Sequence, residues 1–371
     1  MQAKAVTAAG KKKQGSVPFL PATEWRFFAQ NAVLNAIATL HSADRTHAGQ
    51  TAQLVQLGAK QKLEVGGLVA TFPADKKWTA HVTQMLDLFW LLSVREASHR
   101  DQSGGITFST REVADLLGYT SQDKVKKAGK AVRGAIDLLT QTSINWHGTY
   151  AITIPQLMKS ESGIWYGEVR LCWPERIWEM LAPKAHAAGK EKGKERHFEF
   201  FLTPYPLAML KLDTRRQGIE AHAYFIARKA LVQKRANAGK ARGDVLKGQT
   251  LLDADPLIDL AGKSNNNAAR IISWVSGALA TLTGDPMHSE ADRKALFKAV
   301  DVRDQHGHPL ELATLKGRGA LDRLAKATFT FDWATYPIEG LDRLAKRKEA
   351  RRKAYQKAVD RQKAIAASKK N

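Results

Sequence analysis

The chain's 371 residues suffice for two or three domains, each able to bury a core. Hydrophobic residues make up 44%, which excludes wholesale disorder, and the single cysteine, Cys172, excludes an internal disulfide framework or a cysteine-built metal cluster. A formal net charge of +22 is the footprint of a chain that meets polyanions.

The charge is unevenly placed. Residues 1–17 carry Lys4, Lys11, Lys12 and Lys13 and no acid, and the stretch 341–371 carries twelve Lys/Arg against Asp342, Glu349 and Asp360. The tail reads as helix but lacks the full apolar stripe of a membrane-surface helix. The most apolar run, Met85 to Val94, is too short to span a bilayer and contains Asp87. No signal-peptide core opens the sequence, so a cytoplasmic location and no membrane partner are expected.

In chain order, residues 81–98 read as a buried helix, and Ile106-Thr107-Phe108 as a short strand. Ser109-Thr110-Arg111-Glu112 is a capping box, followed by the stripe Val113, Leu116, Leu117 and a terminating Gly118. A second helix, capped by Thr120 or Ser121, runs to about Thr140 with Val125, Ala128, Val132, Ile136 and Leu139 on its apolar face. Lys126, Lys127 and Lys130 fall opposite, with Arg133 on the flank. Strand-like segments at 144–146, 150–154 and 164–173 follow. Helix, strand, helix, tight turn, basic helix and hairpin is the order of a winged helix-turn-helix, which sets its second helix in the major groove. Ser121, Gln122, Lys124, Lys126, Lys127, Lys130 and Arg133 are the candidate DNA contacts of this unit. A capped helix pair with a solvated lysine face would show the same residues.

The pattern recurs. Asp253 to Gly262 (DADPLIDLAG) resembles Ser109 to Gly118 (STREVADLLG), with a turn one residue shorter. A constant offset of 143 then aligns Ala128 with Ile271, Val132 with Val275, Gly134-Ala135-Ile136 with Gly277-Ala278-Leu279, and Leu139 with Leu282. Residues 219–238 read as the counterpart of the helix at 81–98. The second basic helix opens with Ser264, Asn265, Asn266 and Asn267 and places Arg270 where the first has Lys127. Asparagine pairs with adenine and arginine with guanine, although asparagine is also a good N-cap. Residues 327–333 (ATFTFDW) suit the last wing strand of this unit. The expected fold class is therefore α+β, mainly helical, with two tandem winged-helix domains. A flexible basic arm (1–17), a first domain with its leading segment (18–183), a linker (184–196), a second domain (197–337) and a basic helical or disordered tail (338–371) complete the division. A cut in the linker should leave two fragments that fold.

Two such units in a basic chain resemble the iteron-binding replication initiators of plasmids. Ile106 to Leu139 carries the likeness in the first copy; Phe198 to Leu210, Ile219 to Val232 and Asp253 to Leu282 carry it in the second. The resemblance implies binding to repeated origin sites, opening of an adjacent AT-rich duplex, recruitment of a host initiator and the replicative helicase, and a homodimer that represses its own promoter. A transcription regulator or partition factor could use the same fold.

Enzyme motifs are weak. His306-Gly307-His308 lies in a polar turn rather than on the apolar strand of a nicking enzyme. Gly262-Lys263-Ser264 lacks the upstream glycine of a phosphate loop, having Leu257 instead. No catalytic residue, metal or cofactor is expected. Cys172, in VRLCW, suits a small buried hydrophobe. Trp90, Trp165, Trp173, Trp178 and Trp274 fall on apolar periodicities that suit a core.

Overall fold

The computed structural model describes residues 25–29, 32–37, 45–47, 50–65, 67–96, 100–102, 104–119, 122–147, 151–181, 202–237, 244–258, 265–283, 296–334 and six positions between 349 and 360. The basic arm and the linker lie outside these residues. The tail positions are helical, with Lys353 and Glu349 paired at 2.8 Å.

A short strand and helix, β1 (Trp25–Ala29) and α1 (Ala32–Ile37), precede the meander β2 (Arg45–His47), β3 (Gln50–Leu57), β4 (Lys60–Val65) and β5 (Leu68–Pro73). These strands are an addition to the sequence reading, which left residues 45–73 unassigned and expected a mainly helical chain. They form, with β7 (Ser143–His147) and β8 (Ala151–Ile154), a six-stranded antiparallel sheet in the order β2-β3-β4-β5-β7-β8. Leu63, Leu68, Ala70, Phe72 and Ile144 turn to its buried face, by the two-residue period of a strand. The segments near 144 and 152 do pair as a hairpin after the basic helix, and that hairpin joins this sheet through β5.

The first unit proper runs α2 (Ala80–Glu96), β6 (Gly105–Ser109), α3 (Thr110–Leu116), α4 (Gln122–Leu139), then β9 (Gly163–Trp165), β10 (Glu168–Cys172) and α5 (Glu175–Leu181). Ser109 caps α3, its Oγ accepting from Glu112 N–H at 3.1 Å, and Gly118 sits at φ +71°, so the terminators act as the sequence indicates. Val113, Leu116, Leu117, Ala128, Val132, Ile136 and Leu139 are all buried. The sheet order is β6-β10-β9. Cys172 is buried in β10, and burial pushes its thiol pKa up.

The second unit begins with β11 (Leu202–Pro206) and a 3-10 turn at Leu207–Lys211. It continues through α6 (Ile219–Ala236), β12 (Val245–Lys247), α7 (Gly248–Ala254), α8 (Asn265–Thr283), β13 (Phe297–Arg303), α9 (Ala320–Lys326) and β14 (Thr328–Trp333). Its sheet order is β12-β14-β13. First strand, last strand, middle strand is the order in both units, and in each a long helix, the first strand and two further helices precede the other two strands; α9, between β13 and β14, has no counterpart in the first unit. The 143 offset holds through the second long helix: Ile271, Val275, Ala278, Leu279 and Leu282 are buried like their counterparts.

One alignment needs correction. The counterpart of α3 is not Asp253 to Gly262. Asp253 lies in the last turn of α7, and Asp255, Pro256 and Leu257 form the turn after it. Residues 259–264, on which the expectation of a shorter second turn rests, lie outside the described residues. Tertiary contact overrides the local likeness here. Gly248 N–H donates to Ala327 O at 2.7 Å, and a β-carbon on Gly248 would lie 1.8 Å from Leu324 O. Only glycine fits this approach of α7 to α9. Gly248→Ala should cost about 1–3 kcal/mol or more through forced backbone displacement; an unchanged midpoint in urea would show that the two helices part freely.

The two units share a seam. β1 pairs antiparallel with β11, from Trp25↔Pro206 to Ala29↔Leu202. Along α2, Gln84 Nε2 donates to the carbonyls of Met209, Leu210 and Leu212, and its Oε1 accepts from Thr214 Oγ1 at 2.6 Å. One turn on, the buried Asp87 carboxylate accepts from Tyr224 Oη at 2.5 Å and from Arg228 Nε and Nη2 at 2.9 and 3.2 Å. Burial drives the Tyr205 and Tyr224 hydroxyls well above their ordinary pKa, with the Asp87 charge adding to it. This desolvated polar seam weighs against the expectation that the units fold apart, because separation would strip a buried charge pair of its partner.

Candidate nucleic-acid interface

Ser121 lies outside the described residues, and Gln122 and Lys124 fall in the first turn of α4. Lys126, Lys127, Lys130 and Arg133 are exposed. With a step of about 100° per residue, Lys126 and Lys130 fall opposite the buried arc, with Arg133 and Lys127 towards the two margins of the exposed face. Arg111, exposed on α3, was not among the candidates.

The start of this helix pair is pinned twice. Thr110 N–H and Oγ1–H both donate to Gly167 O, at 2.8 and 2.9 Å, which fixes the β9–β10 hairpin tip to the first residue of α3. At the turn between α3 and α4, the Arg215 guanidinium lies 5.8 Å from the Tyr119 ring centroid, and a β-carbon on Gly118 would touch Lys211. Arg215 is itself held by Asp213 through two contacts of 2.8 Å, which keep the Asp213 carboxyl below its ordinary pKa. The second unit thus buttresses the turn of the first.

In the second unit, Ser264 lies outside the described residues, and Asn265 and Asn266 open α8. Asn267 is half-buried and Arg270 exposed. Arg270 is not a loose side chain. Its guanidinium sits 4.5 Å from the Trp274 ring centroid, and Trp274 stacks on buried His222 at 4.6 Å with planes 24° apart. His222 Nδ1–H donates to Asp255 Oδ2 at 2.6 Å, and Asp255 Oδ1 accepts from Leu257 N–H at 2.9 Å. A cation over an aromatic face, backed by a hydrogen-bonded imidazole, holds the guanidinium at the surface of α8. Arg270 and Trp274 stand at i and i+4 on α8, a spacing legible in the sequence, whereas His222 lies about fifty residues before Trp274 and only the fold brings it there.

Trp90, Trp173 and Trp178 are buried as their periodicity suggests, but Trp165 is 47% exposed. It is the last residue of β9, and its indole lies over Gly163 at the edge of the sheet rather than in the core. His306 and His308 sit in the polar turn after β13, where Asp304 Oδ1 accepts from both backbone N–H groups. Among the described residues no group of three or more His, Cys, Asp or Glu side chains is placed to hold a metal ion, and no helix is long and apolar enough to cross a membrane.

No family model matches the chain, and no curated protein does. Among solved structures, the chain is similar to RctB domains 2 and 3. One such structure covers 81% of this chain and 97% of its own, at 12% identity and TM-score 0.40. A selenomethionine form of the same two RctB domains covers 67% and 84%, at 13% identity and TM-score 0.36.

Proposed function

We propose that the chain is a sequence-specific double-stranded DNA-binding protein built from two winged-helix units, acting as a replication initiator of the iteron-binding type. The observation that carries this reading is the repetition: a long helix, a strand, a short helix and a second long helix occur twice, each followed by strands that give the same sheet order, and the second long helix exposes Lys126, Lys127, Lys130 and Arg133 in one unit and Arg270 in the other. In a helix-turn-helix the second helix enters the major groove while the first crosses the backbone, which assigns α4 and α8 the groove. Lys126, Lys127, Lys130 and Arg133 supply phosphate contacts on the first unit. Asn265, Asn266, Asn267 and Arg270 give the second a different surface, suited to base edges.

In this role the chain binds repeated origin sites, promotes opening of the neighbouring duplex and recruits a host initiator and helicase. It does so as a non-enzymatic, cytoplasmic protein without a cofactor, and a homodimer serves repression. The test is footprinting of the DNA that flanks the coding sequence. Protection should appear over direct repeats beside an AT-rich tract, with two protected segments about 10 base pairs apart on one face. Protection confined to one inverted repeat at a promoter would favour a transcription regulator. Relaxed circles formed from supercoiled cognate DNA with Mg²⁺ would favour a nicking enzyme.

A further inference from the structure

The tip of the β9–β10 hairpin departs from ordinary turn chemistry. Tyr166 and Gly167 join the strands, with φ of +47° and +81°. Two successive positive φ values are what a type I′ turn requires, and Asn, Asp or Gly takes the first position with least strain. A tyrosine there is sterically disfavoured, and it returns nothing to the core, because its side chain is fully exposed. Its neighbour is placed with equal specificity. A β-carbon on Gly163 would come within 2.6 Å of Trp165 Cη2, so the indole lies over the glycine, and 47% of the residue remains exposed. One ring is seated and the other projects.

The chemistry of the tip selects what it meets. Residues 160–169 contain no lysine or arginine, and the exposed Glu168 follows the turn, so the tip is no phosphate clamp. Its place in the fold, however, is beside the basic surface. Gly167 O accepts two hydrogen bonds from Thr110, the first residue of the helix pair whose second member exposes Lys126, Lys130 and Arg133. Apolar side chains so placed beside a groove enter base steps and unstack them. Resting on the DNA-binding reading above, we infer that Trp165 and Tyr166 form an aromatic wedge that enters the duplex beside the segment faced by α4 and stacks on the bases of one partly opened step.

The experiment uses the full chain and short duplexes tiling the DNA that flanks its coding sequence, with 2-aminopurine at successive adenines. The intact protein should raise 2-aminopurine fluorescence at one step beside the protected segment. Tyr166→Asn suits the turn better than tyrosine and should keep the thermal midpoint. It should also keep the salt slope, since no charge changes, yet lose the fluorescence rise and weaken binding roughly ten-fold. Trp165→Ala should do the same, and Tyr166→Phe should retain both signals. Unchanged binding and fluorescence in Tyr166→Asn and Trp165→Ala would overturn the wedge. Tight duplex binding by the intact chain with no fluorescence rise at any position would overturn the wedge alone and leave the DNA reading standing. Failure to bind any duplex at low salt would overturn both. Preference for the single strand of the same sequence, lost in the variants, would reassign the rings to single-strand stacking. Self-association without DNA that Tyr166→Asn abolishes would reassign them to a second copy of the chain.

Discussion

Replacing Asp87 with alanine should destabilise the chain by about 3–5 kcal/mol, the usual cost of leaving a buried partner charge uncompensated. Asp87 is fully buried on α2, and both its oxygens are engaged from α6, by Arg228 and Tyr224. Its loss strands a buried guanidinium at the seam. The pair as a whole contributes far less than its disruption costs, since two well-packed apolar side chains often replace a buried ion pair at little loss. The double variant Asp87→Leu with Arg228→Met should therefore be closer to the parent than Asp87→Ala alone. Equilibrium unfolding in urea with the three proteins side by side decides this. A loss below about 1 kcal/mol in Asp87→Ala, the scale of an exposed pair, would mean that water reaches the seam.

The other large effect is on affinity. Each phosphate neutralised releases counterions, and the slope of log K against log salt is about −0.9 per contact. If α4 and α8 face the groove as proposed, they and the flanking basic residues should make about six to ten such contacts, so duplex affinity should fall by roughly three to five decades between 50 and 200 mM salt. Lys127→Ala should shallow the slope by about one and weaken all sequences alike. Anisotropy titrations over a salt series give both numbers. A nearly flat dependence would remove the basis for assigning α4 and α8 to the groove.

The helix pair of the first unit was legible almost residue by residue because its signals are local. Ser109 caps, the stripe Val113, Leu116, Leu117 packs, and Gly118 terminates, each within one turn of the residue it serves. The 143 offset was equally sound, since it compares apolar positions on one long helix with those on another. What the sequence concealed depends on distant parts of the chain. The register of α7 follows from its approach to α9, not from the resemblance of DADPLIDLAG to STREVADLLG. The meander at 45–73 did carry a local signal that the sequence reading passed over, since Gly66-Gly67 between Val65 and Leu68 is a two-residue hairpin spacing. Asp87 was visible as a charge in an apolar helix, and such a charge requires a partner; that the partner is Arg228, 141 residues on, is settled only by the fold. Trp165 shared the alternation of a strand, which does not say whether anything packs against it.

The pairing of β1 with β11 also governs when the chain can finish folding during synthesis. Ala29 and Leu202 are 173 positions apart, and every hydrogen bond between these strands awaits the later one. At about 5–20 residues per second, β1 leaves the ribosome roughly 10–35 s before its partner exists. Throughout that interval a strand bearing Trp25, Phe27 and Phe28 has no native edge to join, and α2 holds Asp87 and Gln84 without the groups that complete them. The nascent first half is thus born incomplete, and any stall between the two halves would prolong its exposure to chaperones and to neighbouring chains.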